Sequence, residues 1–390
     1  MKLKLRTQVA IIGAGPAGLL LGQLLQRRGI DSVVLEARDR QYVENRVRAG
    51  VLEQQSLDIL VRAGVGERMM REGLLHHGIQ LRFGGRTHRI DFQELTGRAV
   101  MIYGQQEVVR DLIAARLAAQ QPLHFEVESV SIHDFMTERP EVRYRQGGEQ
   151  HTLRCDFIAG CDGFHGICRD SIPPGQLTVY ERLYPFAWLG ILAQAAPASH
   201  ELIYANDSHG FALLSMRSPT VSRLYLQCKP DEDLGAWPDE RLWSELTHRL
   251  GALTTGPVLQ KSVAPLRSFV AEPMSIGRLF LAGDAAHIVP PTGAKGMNLA
   301  LADVQVLAQA LGELYGTGRR AGLDSYSETC LRRVWQVQRF SWWMTSLLHR
   351  FEDDSAFDRR RQLAELEYLV ASRAAAQMLA ENYVGLPLST

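Results

Sequence analysis

At 390 residues, the chain exceeds one ordinary core, at roughly 150 residues per domain, and falls short of three. Apolar residues make up 46% and charged residues 22%, a composition able to bury a sizeable core. Forty-three basic side chains against forty-three acidic ones leave a formal net charge of zero, which argues against a general nucleic-acid or membrane-surface binder, since holding phosphates needs a basic excess.

The N-terminus reads as strand, turn, helix, strand. Gln8-Val9-Ala10-Ile11-Ile12 is a short apolar run suited to a buried parallel strand. Gly13-Ala14-Gly15-Pro16-Ala17-Gly18 then turns into a helix running through Leu19, Leu20, Leu24 and Leu25 toward Gly29. Ser32-Val33-Val34-Leu35-Glu36 supplies a second strand that ends in a carboxylate, completing a βαβ unit with a right-handed crossover. Behind Lys2, Lys4 and Arg6, the stretch from Val9 to Leu25 has the outline of a signal peptide. Gly13, Gly15, Pro16 and Gly18 interrupt it, however, and Gln26, Arg27 and Arg28 follow in place of a cleavage site. No other stretch approaches the roughly 20 apolar residues needed to span a bilayer. A second helix is expected from Val51 to Val61, ending near Gly64.

From Leu74 to Phe92, and from Leu183 to Ser268, short alternating runs separated by turn residues predict an antiparallel sheet. Between them lie a helix from Glu107 to Ala119 and strands leading to Asp156-Phe157-Ile158-Ala159. Strand-then-helix grammar returns at Arg278, and the last hundred residues are largely helical. The fold class is therefore α/β plus β. A Rossmann-like nucleotide-binding domain with a parallel sheet (1–73, 99–182 and 269–318) carries an inserted mixed or antiparallel substrate sheet (74–98 and 183–268) and a helical C-terminal region (319–390). Cys155, Cys161, Cys168, Cys228 and Cys330 are odd in number and lack metal-ligand spacing, so they read as reduced thiols of a cytoplasmic protein without a metal.

Gly13-x-Gly15-x-x-Gly18 is a weak signal alone, but it follows a strand, opens a helix and precedes Glu36. Glycines let backbone approach a pyrophosphate, the helix N-terminus offers free N–H groups to it, and Glu36 can accept hydrogen bonds from a ribose. The motif by itself leaves NAD and FAD both open. Two further segments narrow the choice: Ala159-Gly160-Cys161-Asp162-Gly163-Phe164-His165-Gly166, and Arg278-Leu279-Phe280-Leu281-Ala282-Gly283-Asp284 leading to His287. Together with the first turn they resemble the three nucleotide motifs of the single-component flavoprotein aromatic hydroxylases. That resemblance implies FAD as cofactor, with Asp284 at its ribitol and the Asp162-Gly163 region serving both FAD and the nicotinamide. Without it, Asp284 reads as a helix cap and Asp162 as a turn former.

Longer segments are similar to the members of that family that act on 4-hydroxybenzoate. They are Arg46-Val47-Arg48-Ala49-Gly50-Val51-Leu52-Glu53-Gln54, Tyr103-Gly104-Gln105, His287 to Asn298, and Phe340-Ser341-Trp342-Trp343-Met344-Thr345, within a likeness running from Thr7 to Pro387. The resemblance implies that Arg46, Arg48, Gln105, Asp284, Lys295, Gly296, Met297 and Asn298 join Gly13, Gly15, Gly18 and Glu36 in holding FAD. It also implies that the Pro291 carbonyl faces the substrate hydroxyl.

A substrate site is also readable from the pattern. Phe211, Leu213, Ser215 and Arg217 share one strand face by the period of two, Ser218-Pro219-Thr220 turns the chain, and Arg223, Tyr225 and Gln227 share a face of the return. With matching register, Ser215, Arg217 and Tyr225 converge as a cationic fork suited to a small aromatic carboxylate; the alternative is a solvated strand face. Tyr204 and Tyr383 read alone as core tyrosines. The resemblance makes them the pair that passes the phenol proton outward, with His76, titrating near neutrality, at the solvent end. It likewise puts His165, Arg169 and Arg267 on the nicotinamide pyrophosphate, with Arg38 and Tyr42 nearby. Here the chain departs from the family pattern: Ala37 follows Glu36 where many members carry Arg, which leaves NADPH and NADH both open as co-substrate. The helix around Trp335 to Phe351 reads as core or dimer contact.

The expected activity is hydroxylation of 4-hydroxybenzoate at C3 with NAD(P)H and dioxygen, through a C4a-hydroperoxide of the flavin, by a cytoplasmic homodimer. Three other readings stay open: a hydroxylase of another small aromatic acid, a nicotinamide oxidoreductase without flavin, and a non-enzymatic ligand-binding regulator.

Overall fold

The computed structural model describes residues 4–46, 48 and 50–386. Lys2 of the leader-like stretch, Val47 and Ala49 of the arginine segment and Pro387 lie outside the described residues. The first strand, Val9–Ile12, is flanked on one side by Ser32–Leu35 and on the other by Phe157–Gly160, all parallel and buried on both faces. Burial on both faces explains why these strands read as continuous apolar runs without alternation. Leu123–His124 and Leu279–Leu281 extend the sheet in parallel, and Ser275–Ile276 closes one edge antiparallel. Helix α1 (Pro16–Gln26) starts at the glycine turn with Pro16 at its first position. It packs on the long helix α2 (Gly296–Thr317).

Two differences from the sequence reading appear near this core. The segment expected as a helix from Val51 begins instead as a strand, Val51–Leu52, paired with Val100–Ile102; the helix runs Gln54–Arg62. Strand pairing buries Val51 and Leu52, and a helical start there would leave that three-stranded sheet without its edge. A separate four-stranded sheet, formed by Lys4–Arg6, Glu128–His133, Glu141–Gln146 and Glu149–Arg154, was not anticipated.

The substrate sheet has eight strands. Strand β1 (Thr178–Ala193) pairs antiparallel with the long strand Val258–Glu272 on one side and Val221–Cys228 on the other, followed by Ala212–Ser218 and Ile203–Ala205. Gly78–Phe83 joins Ile203–Ala205 in parallel and carries Arg86–Asp91 at the edge, so the early and late substrate segments form one mixed sheet. The long pair runs past the expected limits at 183 and 268, and His287–Ile288 adds a short strand from the nucleotide-binding region.

The last hundred residues are largely helical, as expected. Helix α3 (Tyr326–Leu348) lies across the sheet junction, and α4 (Arg373–Val384) packs on the Phe92–Thr96 helix with Tyr383 stacked on Phe92 at 4.9 Å. The end of α3 is sewn to the sheet: Asn206 Nδ2 donates to the Leu347 and Leu348 carbonyls, and the Gln227 amide bonds both backbone N and O of Arg350. Those bonds satisfy carbonyls that a helix end leaves free. Among the described residues, no helix is long and apolar enough to cross a membrane.

Candidate active site

The three glycines of the first turn do separate jobs. A Cβ on Gly13, whose φ is +104°, would sit 2.4 Å from the Cys161 carbonyl oxygen, so the loops after two adjacent strands touch only because Gly13 lacks one. A Cβ on Gly18 would lie 2.0 Å from the Gly13 carbonyl, which forces close helix–strand packing. Nothing lies within 4 Å of a Cβ on Gly15, so its backbone faces open space at the N-terminus of α1. Glu36 accepts from the Ala14 N–H at 2.7 Å and the Arg38 N–H at 2.8 Å, bringing the end of the second strand to this turn.

A second helix N-terminus points the same way. Gly293 and Ala294 hold φ of +92° and +55°, an uncommon conformation for alanine that turns the chain sharply into α2. Gly296, its first residue, again has nothing within 4 Å of a would-be Cβ. Met297 is half-buried against the nucleotide-domain core. Free N–H groups and the positive end of a 22-residue helix suit a developing or bound negative charge. Asp284, reached through Gly283 (φ +62°), is exposed. Surrounding protein raises its carboxyl pKa, while His287, Arg48 and Arg46 act to lower it. Burial and neighbouring Arg46 lower the Arg48 pKa, and Asp284, Tyr42 and Tyr225 act to raise it, so Arg48 lies between the Asp284 end and the substrate wall. Gln105 opens the Gln105–Ala118 helix. Two open backbone patches at helix starts, an acidic group beside two arginines and a carboxylate at the strand end form a donor set that fits the diphosphate, ribitol and ribose of FAD.

Two expected flavin contacts need correction. The Lys295 ammonium is buried and donates to Glu53 Oε1 at 2.6 Å and the Tyr383 carbonyl at 2.7 Å; it is spent inside the protein. The Asn298 amide donates to the Val51 and Ala294 carbonyls and accepts from Glu53 N and Ser56 Oγ. With all its capacity used, the Asn298 side chain braces the loop, and only backbone near it remains for a ligand.

The substrate wall forms, with Ser215, Arg223 and Tyr225 on one face of the hairpin. Tyr225 lies opposite Leu213 and Arg223 opposite Ser215, and an irregularity between Met216 and Ser218 carries Arg217. Burial lowers the Arg217 pKa, Tyr225 raises it by charge and by a side-chain hydrogen bond, and Arg223 lowers it. Arg217 Nε, and Arg223 Nε and Nη1, are buried without hydrogen-bond partners. Arg223 is itself buried, with its guanidinium 5.2 Å from the Tyr225 ring centre. Uncompensated buried cations of this kind are costly unless an anion pairs with them. Ser215 is buried; its hydroxyl makes only a long 3.4 Å bond to the Met216 carbonyl.

At the opposite end, the Tyr204 and Tyr383 hydroxyls share a 2.7 Å hydrogen bond, and both rings are buried. Burial pushes the Tyr204 hydroxyl up to about 12, against the pull of Tyr383 and the Gly293 backbone. The Gly293 loop also holds exposed Pro291, whose carbonyl accepts from the Ala294 N–H at 2.9 Å. His76 departs from expectation: it is buried, and burial pushes its pKa down to about 4. Both its ring nitrogens lack hydrogen-bond partners.

The expected nicotinamide residues fall into two groups. Arg169 and Arg267 flank the Phe164 ring at 4.8 and 4.4 Å, and His165 packs edge-on to it. Arg169 donates to the Phe164 and Ala285 carbonyls, so it braces the loop, while Arg267 pairs with Glu181 at 3.2 Å. Arg38 lies 5.2 Å from the Tyr42 ring centre in the other group, beside a cavity of about 320 Å³ lined by Asp39, Gln41, Tyr42, Asn45 and Arg46. A larger cavity, about 460 Å³, is lined by Phe186, Gln227, Trp237, Arg249 and Arg350 among others and contains none of the expected site residues.

Sequence reasoning missed Arg223 as a second cation, although it had been placed on the Tyr225 face. It also missed the buried cluster in which Glu53 takes Lys295 on one oxygen and Arg333 on the other. Asp303 was missed too; it accepts from the Gly283 N–H at 3.0 Å and lies 2.7 Å from His287 Nε2. Asp303 stands nineteen residues past Asp284, a spacing that by itself signals nothing.

Residues 6–341 match the family described as FAD binding domain. The chain is 52% identical over 389 residues to the p-hydroxybenzoate hydroxylase of Acinetobacter baylyi, covering 98% of this chain and 96% of that one. It is 26% identical to a probable NADH-specific resorcinol 4-hydroxylase of Rhodococcus jostii, over 82% of this chain and 61% of that protein. Among solved structures, the p-nitrophenol 4-monooxygenase of Pseudomonas putida superposes with a TM-score of 0.85 at 18% identity, over 99% of this chain and 100% of that one.

Proposed function

The chain belongs to the FAD binding domain family of flavoprotein aromatic hydroxylases, and on that footing we propose that it hydroxylates 4-hydroxybenzoate at the carbon beside the phenol. The net reaction is 4-hydroxybenzoate plus NAD(P)H, a proton and dioxygen to 3,4-dihydroxybenzoate, NAD(P)+ and water. FAD, when bound, takes hydride from the nicotinamide and activates dioxygen for transfer. The protein's part is to bind, orient, ionise and exclude water.

The observation that carries this reading is one aromatic wall with two polar ends, joined through Trp188 and Phe211. Arg217 and Arg223 present buried N–H groups without partners, and Tyr204 and Tyr383 present linked hydroxyls. A carboxylate at the arginine end gains charge-assisted bonds of about 1.5–3 kcal/mol each. Ser215 and Tyr225 complete that end. Tyr204, protonated far above neutral pH, donates to the phenolate; as the phenol ionises, Tyr204 takes up its proton and hands its own to Tyr383, which releases its own proton outward. An ionised ring is the stronger carbon nucleophile, so stabilising it lowers the barrier. The Pro291 carbonyl lies in the same loop as the Gly293 backbone that acts on Tyr204, and it orients the hydroxyl. His76 is neutral in its buried setting and without a hydrogen-bond partner on either ring nitrogen, so it joins this route only when a partner reaches its ring.

FAD is held by Gly13, Gly15, Gly18, Glu36, Arg46, Arg48, Gln105 and Asp284 and by the Gly296–Met297 backbone. The nicotinamide meets His165 after the Phe157–Gly160 strand and Arg267 on the Val258–Glu272 strand on one side, and Arg38 with Tyr42 on the other. A homodimer belongs to the same reading, supported by exposed Val179, Tyr180, Leu183 and Trp335, with the Tyr180 and Trp335 rings 5.3 Å apart. A cytoplasmic location is supported by five buried cysteines that are all free thiols.

Oxygen consumption by the yellow purified protein, measured with 4-hydroxybenzoate and first NADH, then NADPH, tests the proposal. Substrate-stimulated uptake with 3,4-dihydroxybenzoate as product supports it; uptake that 4-hydroxybenzoate leaves unchanged with both coenzymes defeats it.

A further inference from the structure

The substrate wall and the loop before α2 are tied together at one residue outside both. Trp188, on β1, donates its indole N–H to His349 Nε2 at 2.7 Å. His349 Nδ1 donates to the Thr345 carbonyl at 3.0 Å, one turn back along α3. Thr345 Oγ1 in turn shares a 3.0 Å hydrogen bond with Thr292 Oγ1, between Pro291 and Gly293. An indole can only donate and a carbonyl can only accept, so this arrangement admits one form of the ring, neutral with its proton on Nδ1.

The rings around this pair leave it little freedom. Phe186 stacks on His349 at 4.7 Å and 7°, and Phe211 stacks on it at 4.2 Å and 22°. Phe211 also lies over Trp188 at 5.0 Å and 15°, so one phenyl ring covers both hydrogen-bonded partners. From there Trp188 packs on Tyr225 at 4.9 Å, and Phe211 reaches Tyr204 at 6.3 Å. His349 is fully buried, and burial holds its pKa down at about 3, so the ring keeps its acceptor nitrogen at working pH.

We propose that His349 is a positioning residue that sets the spacing between the carboxylate end of the pocket, through Trp188 and Tyr225, and the Pro291–Gly293 loop, through Thr345 and Thr292. It touches neither substrate nor cofactor. The proposal rests on reading the pocket as a site for an aromatic acid. Its physical basis is that a reacting ring displaced by about 1 Å can lose two orders of magnitude in rate, while binding itself changes less.

The test uses the full-length, FAD-loaded protein with 4-hydroxybenzoate and three variants: His349→Ala, His349→Gln and Trp188→Phe. NAD(P)H consumed, hydroxylated product formed, KM and melting temperature are measured for each. His349→Ala and Trp188→Phe are expected to yield less than about half the wild-type product per NAD(P)H and to raise KM severalfold, with NAD(P)H oxidation persisting. His349→Gln keeps a donor and an acceptor and is expected to recover part of the lost product ratio. A product ratio and KM within twofold of wild type in either of the first two variants overturns the proposal. Should His349→Ala fail to fold, Trp188→Phe decides alone. A crystal structure of Trp188→Phe needs no activity and separates this proposal from the assigned reaction. A displaced Tyr225 ring supports positioning even if 4-hydroxybenzoate proves inert, and a superposable Tyr225 ring contradicts it even if 4-hydroxybenzoate is the substrate.

Discussion

The Tyr204 hydroxyl lies 2.7 Å from the Tyr383 hydroxyl, joining residues 179 positions apart inside a wall that excludes water. Burial keeps both protonated: Tyr204 is pushed up to about 12, and Tyr383 well above its ordinary value. A protonated Tyr204 can donate to a phenolate that a neutral phenol site would not hold. Tyr204→Phe is therefore expected to bind 4-hydroxybenzoate within about threefold of wild type, while hydroxylation falls about 10–100-fold, the value of one hydrogen bond to a charged group. Product formed per NAD(P)H consumed is the measurement, and an unchanged ratio counts against the role.

Arg217 is the anchor at the other end. Arg217→Ala is expected to raise the substrate dissociation constant at least about tenfold, one charge-assisted bond's worth. Benzoate analogues lacking the carboxylate are expected to lose the discrimination between wild type and variant. Titration of flavin absorbance with 4-hydroxybenzoate reads both; tight binding to the variant removes Arg217 from the site.

The last two glycines of the first turn separate cofactor binding from folding. Gly18→Ala puts a Cβ about where the Gly13 carbonyl stands, so both melting temperature and FAD content are expected to fall. Gly15→Ala meets open space, so the apoprotein is expected to melt within about 2 °C of wild type, as surface changes usually do, and to bind FAD more weakly because the new methyl group occupies the diphosphate's place. Fluorescence titration of apoprotein with FAD, beside calorimetry, distinguishes the two; normal FAD affinity in Gly15→Ala argues against a diphosphate there.

His76 makes a pH prediction. Its folded pKa of about 4 lies below that of an unfolded histidine, so between these values the unfolded chain binds the extra proton. The contribution of neutral His76 to stability is complete above about pH 6.5, the ordinary histidine value, and is lost as pH falls toward 4. Wild-type melting temperature is expected to drop over that window more steeply than that of His76→Gln. Parallel curves would mean that His76 meets water readily.

The parts of the site legible in the sequence were those set by local chemistry. Gly13 and Gly18 allow close approaches that a side chain would block, Gly15 keeps backbone open, and a strand ending in Glu36 completes their geometry within one βαβ unit. The Ser215–Arg217–Tyr225 wall was half legible. The period of two put Ser215 on one strand face and Arg223 with Tyr225 on the facing one, and the pairing brings those faces together; the irregularity between Met216 and Ser218, which carries Arg217, leaves no local signal. Lys295 and Asn298 were placed on the flavin because their segment resembles one that lies there; their partners Glu53 and Ser56 stand more than 240 positions away, beyond the reach of any local pattern. The substrate sheet was read as mixed or antiparallel and is mixed: Gly78–Phe83 pairs antiparallel with Arg86–Asp91 and parallel with Ile203–Ala205, the parallel partner being a choice of tertiary packing that no local pattern shows.

The most direct test of this two-ended wall is a crystal structure of the FAD-loaded protein with 4-hydroxybenzoate. The account predicts the carboxylate within hydrogen-bond reach of Arg217, the phenol oxygen beside the Tyr204 hydroxyl, and the ring edge toward the loop that opens α2. A ring bound in the reverse sense, or lodged away from Arg217 and Tyr204, would contradict it.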